Sequence, residues 1–279
     1  MDPHTTFLLF SLALACSVLG GMLGMASGMF IVPALTILAH MSIHEAIGAS
    51  LVSVIACSCA SAAPYLRGQL TNVRLAVLLE VGTTLGALSG VLLIGVVPVR
   101  ALYLLFAAIL LVSAWQMFLR RVEAVAPTGS ASRDGTARSL GLHASYPDPA
   151  TGREVPYVVA RVPFGLVLMY AAGLISALLG IGSGVLKVPA MDTALRLPIR
   201  VSTATSNFMI GVTGCASACA YFLRGEIATS VAAPVALGSV VGSIAGAHIL
   251  MKTPTRHLRV FFVSILVLVA VQMLLHGLD

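Results

Sequence analysis

Eight long apolar runs restrict what this chain can fold into more than any other feature. They are Leu8 to Ile37, Ile47 to Tyr65, Leu75 to Val97, Leu102 to Phe118, Phe164 to Met191, Val201 to Phe222, Ile227 to Met251 and Val260 to Leu275. A hydrocarbon core is crossed by about 20 helical residues, so each run reads as a membrane segment. Hydrophobic residues make up 58% of the 279 and charged residues 9%, against roughly 25% charged in a soluble domain. A soluble domain is therefore excluded, and nucleic acid has no support as a partner. The stretch MDPHTTFLLF carries no Lys or Arg before its apolar run, so it is expected to belong to the fold and not to a cleaved signal.

A shift of the chain by 156 residues lays GMASGMFIVPAL (Gly24 to Leu35) over GIGSGVLKVPAM (Gly180 to Met191). The register continues: Ser50 falls on Ser206, Cys59 on Cys215, Tyr65 on Tyr221, and Gly82, Gly86 and Gly90 on Gly238, Gly242 and Gly246. One frame held over so much sequence indicates a duplication. The expected organisation is a first transmembrane repeat over 1–120, a linker over 121–160 and a second repeat over 161–279.

Short-loop charge decides between parallel and inverted halves. If the run from Phe164 to Arg196 enters and returns to one face, Arg67, Arg74, Arg196, Arg200, Lys252, Arg256 and Arg259 share the cytoplasmic side, with only Arg100 and Arg224 outside. A single crossing by every run breaks the positive-inside rule. Residues 164–196 would also make a helix of roughly 50 Å, too long for one upright crossing. The glycines at 180, 182 and 184 and Pro189 are expected to break it, as Gly24, Gly28 and Pro33 break the equivalent stretch. The fold expected is an all-α polytopic membrane protein of two inverted repeats, each with a broken or re-entrant helix.

The one polar segment, 121–160, opens with linker-like APTGSASRDGTARS and continues through LHASY, PDPATGRE and VPYVVARV. Two β-prone runs around a Pro/Asp/Gly turn predict a small cytoplasmic hairpin. Most of the net charge of +6 lies on that face, which suits anionic headgroups.

Broken backbone at bilayer depth is tolerated where it is buried in protein or lines a polar cavity. Two breaks related by an inverted repeat predict a midplane site between the halves, and helix N-termini restarting near Pro33 and Pro189 favour an anion there. Ser27, Gly28, Gly182, Ser183 and Gly184 lie at the breaks, with Ser50 opposite. The first turns of the following helix supply Ser202, Thr203, Thr205, Ser206 and Asn207. Lys187 lies in the second broken stretch among Leu, Val and Ala, with Ile31 as its counterpart. A charge in the bilayer interior costs roughly 2.5–3.5 kcal/mol on insertion scales, so it requires compensation. Ligand contact competes with snorkelling and with a structural ion pair to Asp192 or Glu80. Glu80, matched by Ala236, reads as a coupling or gating carboxylate, or as one half of such a pair. Asp192 is the other coupling candidate. The glycine series reads as helix packing.

GMASGMFIVPAL and GIGSGVLKVPAM, each followed by an alanine/threonine/serine stretch (IGASL and TATSNFMIGVT), resemble the duplicated signature of the sulfite exporter TauE/SafE family. The family pattern usually has consecutive glycines where this chain has Ala26, Ser27 and Ser183. The resemblance implies a bacterial inner-membrane carrier of small sulfur-containing anions such as sulfite, thiosulfate and sulfonates. The expected activity is secondary transport by alternating access, with export as its direction and without enzymatic turnover. The expected partners are that anion, the lipid bilayer and a second copy of the chain in a homodimer; no cofactor or metal is called for. Competing readings are an anion channel, a soft-metal carrier through Met22, Met25, Met29, Cys215 and Cys219, and an intramembrane hydrolase using Ser183. That serine has no evident histidine base. No ATP-binding motif is present in the sequence.

Overall fold

The computed structural model describes residues 3–23, 27–93, 96–119, 137, 139–148, 153–252, 264 and 267–275. Its helices are α1 (Pro3–Leu23), α2 (Gly28–Ile37), α3 (Ile43–Arg67), α4 (Val73–Leu93) and α5 (Val99–Leu119). After strands β1 (Ala144–Asp148) and β2 (Arg153–Tyr157) come α6 (Val162–Leu179), α7 (Gly184–Thr193), α8 (Ile199–Leu223) and α9 (Thr229–Lys252). Residues 267–275 are also helical. Among the described residues, six helices are long and apolar enough to cross a membrane: α1, α3, α4, α6, α8 and α9. Their outer faces are apolar, as lipid requires. On α4, for example, Val77, Val81, Leu85, Leu88 and Leu92 point outward, while Glu80 and Thr83 are buried.

The runs Leu8 to Ile37 and Phe164 to Met191 are each split into a long helix and a ten-residue one. Between α6 and α7 the chain turns through left-handed backbone at Gly180 (φ 64°), Gly182 (φ 71°) and Ser183 (φ 40°). Such φ values cost glycine little. Pro33 and Pro189 are a correction to the expectation that prolines mark the breaks: both lie inside the short helices. Each removes one donor from its helix, and at the second break the left-handed residues upstream of Pro189 make the turn. The helices therefore restart at Gly28 and Gly184, not at the prolines. Gly24 lies outside the described residues.

Two glycine seams set the packing. A side chain at Gly82, Gly86 or Gly90 would run into the carbonyls of Leu166, Tyr170 and Leu174 respectively. The two series ascend together, so α4 and α6 run in the same direction in backbone contact. Gly238 and Gly242 meet the carbonyls of Phe10 and Leu14 in the same manner, making α9 parallel to α1. These partners are again 156 residues apart, Leu166 from Phe10 and Tyr170 from Leu14. By contrast α3 and α8 run in opposite directions: Val54 and Ile55 touch Gly214, whereas Ser58 touches Gly211 and donates to the Asn207 carbonyl. Small residues let helix backbones approach and gain dispersion contacts that lipid cannot supply.

Strands β1 and β2 pair antiparallel, with Ala144 opposite Tyr157 and Asp148 opposite Arg153. They extend further into the PDPATGRE stretch than the composition suggests. Asn72 fixes the hairpin to the helices: its Oδ1 accepts from Leu75 N (3.1 Å) and caps α4, and its Nδ2 donates to the Leu142 carbonyl (2.9 Å) and to Tyr157 Oη (3.0 Å). Burial raises the Tyr157 phenol above its ordinary range, and the bond from Asn72 offsets part of that.

Candidate functional site

The two helix breaks meet. Gly28, the first residue of α2, lies against the Gly180 carbonyl, and Ser50 Oγ on α3 donates to that carbonyl at 2.9 Å. A methyl group at Gly28 would fall 2.6 Å from the Gly180 oxygen and 2.8 Å from Ser50 Oγ. Only a residue without Cβ allows this approach.

Two buried polar clusters lie beside this contact. One is charged and is built by α7, α8 and α4. Lys187, fully buried, places Nζ 3.3 Å from Glu80 Oε2 and donates to Thr213 Oγ1 at 2.6 Å. Thr213 Oγ1 donates in turn to Glu80 Oε1 at 2.6 Å, with Thr84 Oγ1 3.3 Å from the same oxygen. Of the two carboxylates the sequence offers, Glu80 is therefore the one paired with Lys187; Asp192 sits half-buried in the last turn of α7. Compensation of the lysine charge comes from an ion pair bridged by a hydroxyl.

The other cluster is uncharged and is built by α2, α3 and α9. Ser27 Oγ lies 3.1 Å from Ser53 Oγ and 3.2 Å from Cys57 Sγ; Ser53 Oγ donates to Ser239 Oγ at 2.5 Å, and Cys57 Sγ donates to the Ser239 carbonyl at 3.3 Å. It occupies the positions related to the charged cluster by the 156-residue shift: Ile31 for Lys187, Cys57 for Thr213, Ser239 for Thr83 and Ala236 for Glu80.

Ser183, at the start of α7, and Ser206, on α8, are fully buried, and their hydroxyls have no hydrogen-bond partner among the described residues; Ser202 shares this condition. A buried hydroxyl without a partner costs about 1–3 kcal/mol. Gly182 precedes Ser183 in the left-handed turn, and Gly184 after it begins α7. Thr205 is engaged elsewhere, its Oγ1 accepting from Asn72 N (3.2 Å), and Asn207, also buried, accepts from Ser58 through its backbone carbonyl. Met29 is buried in α2, whereas Cys215 and Cys219 face outward on α8.

Sequence reasoning missed Thr213, Ser53, Cys57 and Asn72. Thr213 and Cys57 could have been found together, since they occupy equivalent positions one polar step from each half's break. Asn72 carries only a capping signal, three residues ahead of Leu75.

A buried polar centre inside an outwardly apolar bundle defines a multi-pass membrane protein. The chain matches the sulfite exporter TauE/SafE family over residues 9–273 and belongs to that family of membrane transporters. It is 23% identical to the probable membrane transporter protein YunE of Bacillus subtilis, over 97% of this chain and 98% of that protein. It is also 23% identical to the probable membrane transporter protein YdhB of the same organism, over 81% and 83%. With the probable membrane transporter protein MamO of Paramagnetospirillum magneticum it shares 30% identity over half of this chain and 22% of that protein. No solved structure matches the chain.

Proposed function

We propose that this protein is a secondary carrier of a small sulfur-containing anion, such as sulfite, thiosulfate or a sulfonate. The anion binds where the two broken helices meet and is exposed alternately to the two faces of a bacterial inner membrane. The observation that carries this reading is the meeting of Gly28 and Gly180 across Ser50, with the unpartnered hydroxyls of Ser183 and Ser206 and the Lys187 ammonium on the elements around it. Helices α2 and α7 begin there, and helix N-termini favour negative charge. Hydroxyls and the ammonium replace the hydration shell that the anion gives up.

The two halves act as inverted repeats, each with a re-entrant arm made of its broken pair; the opposed directions of α3 and α8, and the parallel seams α4–α6 and α1–α9, support this. The segment 121–160 then lies in the cytoplasm and the site at the midplane. Export is the direction the family's name suggests.

Thermal stabilisation of the purified protein by sulfite, thiosulfate, sulfoacetate, methanesulfonate, taurine, sulfate and chloride tests the reading, in the parent, Ser183→Ala and Lys187→Ala. Selective stabilisation by a sulfur anion, weakened in Ser183→Ala and lost in Lys187→Ala, is expected. No response to any sulfur anion in the parent, or an unchanged response in both variants, overturns it.

A further inference from the structure

We infer that Glu80 is the proton-binding group of this carrier, and that Lys187, Thr213 and Glu80 couple one proton to one monovalent anion in the same direction. The inference rests on the anion-carrier reading above. The positions related by the 156-residue shift hold Ile31, Cys57 and Ala236, and α2, α3 and α9 pack there with no charge. The scaffold therefore does not require an ion pair at this point, and its presence in one half only requires another cause.

Charge balance supplies one. With Lys187 and Glu80 ionised and 3.3 Å apart, the empty site is neutral. An anion that takes the ammonium from Glu80 leaves an unpaired carboxylate in a low-dielectric interior, which is strongly disfavoured. A proton on Glu80 restores neutrality, giving ammonium, carboxylic acid and anion. A proton alone leaves a net positive site, and a dianion leaves a net negative one. Both partial loadings are therefore penalised, which links the two cargoes and selects monoanions.

The geometry allows the exchange. Lys187 lies one helical turn from Ser183, whose carbonyl accepts Lys187 N at 2.8 Å and whose buried hydroxyl is unpartnered. Side chains on a helix lean toward its N-terminus, so the ammonium can move from Glu80 toward Ser183 and the break. Thr213, which bonds both partners, keeps one contact with Glu80 after the lysine leaves. From the elements against Glu80, α7 contributes Lys187 and α8 contributes Thr213 with no ionisable group beside it. Helix α6 contributes only Tyr170, which bonds Ser89 on the exposed side. On α4 itself Thr83 and Thr84 are adjacent, and Arg74 lies at the far end against Gly141.

The test is proton uptake and affinity with the purified full chain in weakly buffered solution, using methanesulfonate as a non-titrating monoanion and thiosulfate as the dianion. About one proton is taken up per methanesulfonate bound, and the Kd rises about tenfold per pH unit where that uptake occurs. Glu80→Gln binds methanesulfonate with no uptake and a flat pH profile; Glu80→Asp, which keeps the acid, retains the uptake. Binding without proton uptake in the parent, uptake that persists in Glu80→Gln, or binding confined to thiosulfate overturns this inference alone. If no sulfur anion binds the parent, both it and the anion-carrier reading fail. Because one proton and one monoanion move together without net charge, the membrane potential does not drive the step: an inwardly directed pH gradient favours uptake, and export follows when the outward concentration ratio of the anion exceeds the inward concentration ratio of the proton.

Discussion

Breaking the Lys187–Glu80 pair from either side should destabilise the protein, and removing both charges should restore it. Replacing one partner of a buried pair costs about 3–5 kcal/mol, because the other charge stays buried without compensation. The two partners differ in burial, and that orders the variants. Lys187 is 0% exposed and Glu80 is 9% exposed, so Glu80→Leu, which strands the ammonium, falls near the upper end. Lys187→Met, which strands a carboxylate with some access to its surroundings and still bonded by Thr213 and Thr84, falls near the lower end. At about 2–4 °C per kcal/mol for a chain of this size, the apparent melting temperature at fixed scan rate drops by roughly 6–12 °C for Lys187→Met and 10–20 °C for Glu80→Leu. The double variant, with two apolar side chains of similar volume, returns to within a few degrees of the parent, since such replacements are often neutral or stabilising by about 1–4 kcal/mol. A double variant whose loss equals the sum of the two single losses would refute the reasoning, because additivity means the charges do not interact.

Gly86→Val places a branched side chain on the Tyr170 carbonyl, and separating α4 from α6 should cost about 1–3 kcal/mol or more. Val81→Ala, on the outward face of α4, should leave melting nearly unchanged, and equal effects from the two would refute the seam. Ser183→Gly should relieve about 1–3 kcal/mol of left-handed strain, partly offset by the roughly 0.5–1 kcal/mol that glycine loses in chain entropy. Its melting temperature should rise while stabilisation by the anion falls, and a variant that keeps the full anion response would remove the Ser183 hydroxyl from the site.

The helices and their breaks were legible in the sequence because both are local. Apolar runs near 20 residues, glycines at 180 and 182, and the hairpin's turn residues each act within a few positions. Prolines misled the reading, since Pro33 and Pro189 look like breakers and are carried within α2 and α7. The partner of Lys187 was not legible. Asp192 and Glu80 are equally available on paper, and the choice depends on how closely α4 approaches α7, which brings together two side chains 107 residues apart along the chain. The polar cluster at 202–207 divides for a related reason. Residues 206 and 213 lie seven apart on one face of α8, while 205 is turned about 100° from 206 and reaches Asn72 instead.

The duplication separates packing from chemistry within a single chain. Glycines at 82 and 86 and at 238 and 242 meet backbone oxygens at partner positions that also differ by 156, so both halves retain the same close approaches. At the clusters the halves diverge: Thr83 and Ser239 keep a hydroxyl, but Lys187, Glu80 and Thr213 stand opposite Ile31, Ala236 and Cys57. An ion pair needed to hold this architecture would be needed where the architecture recurs, and it is absent there. A buried ion pair is also weak support for stability when an apolar pair fills the equivalent space. Packing alone therefore accounts for the glycine seams and leaves the charged cluster as the feature that requires a chemical explanation.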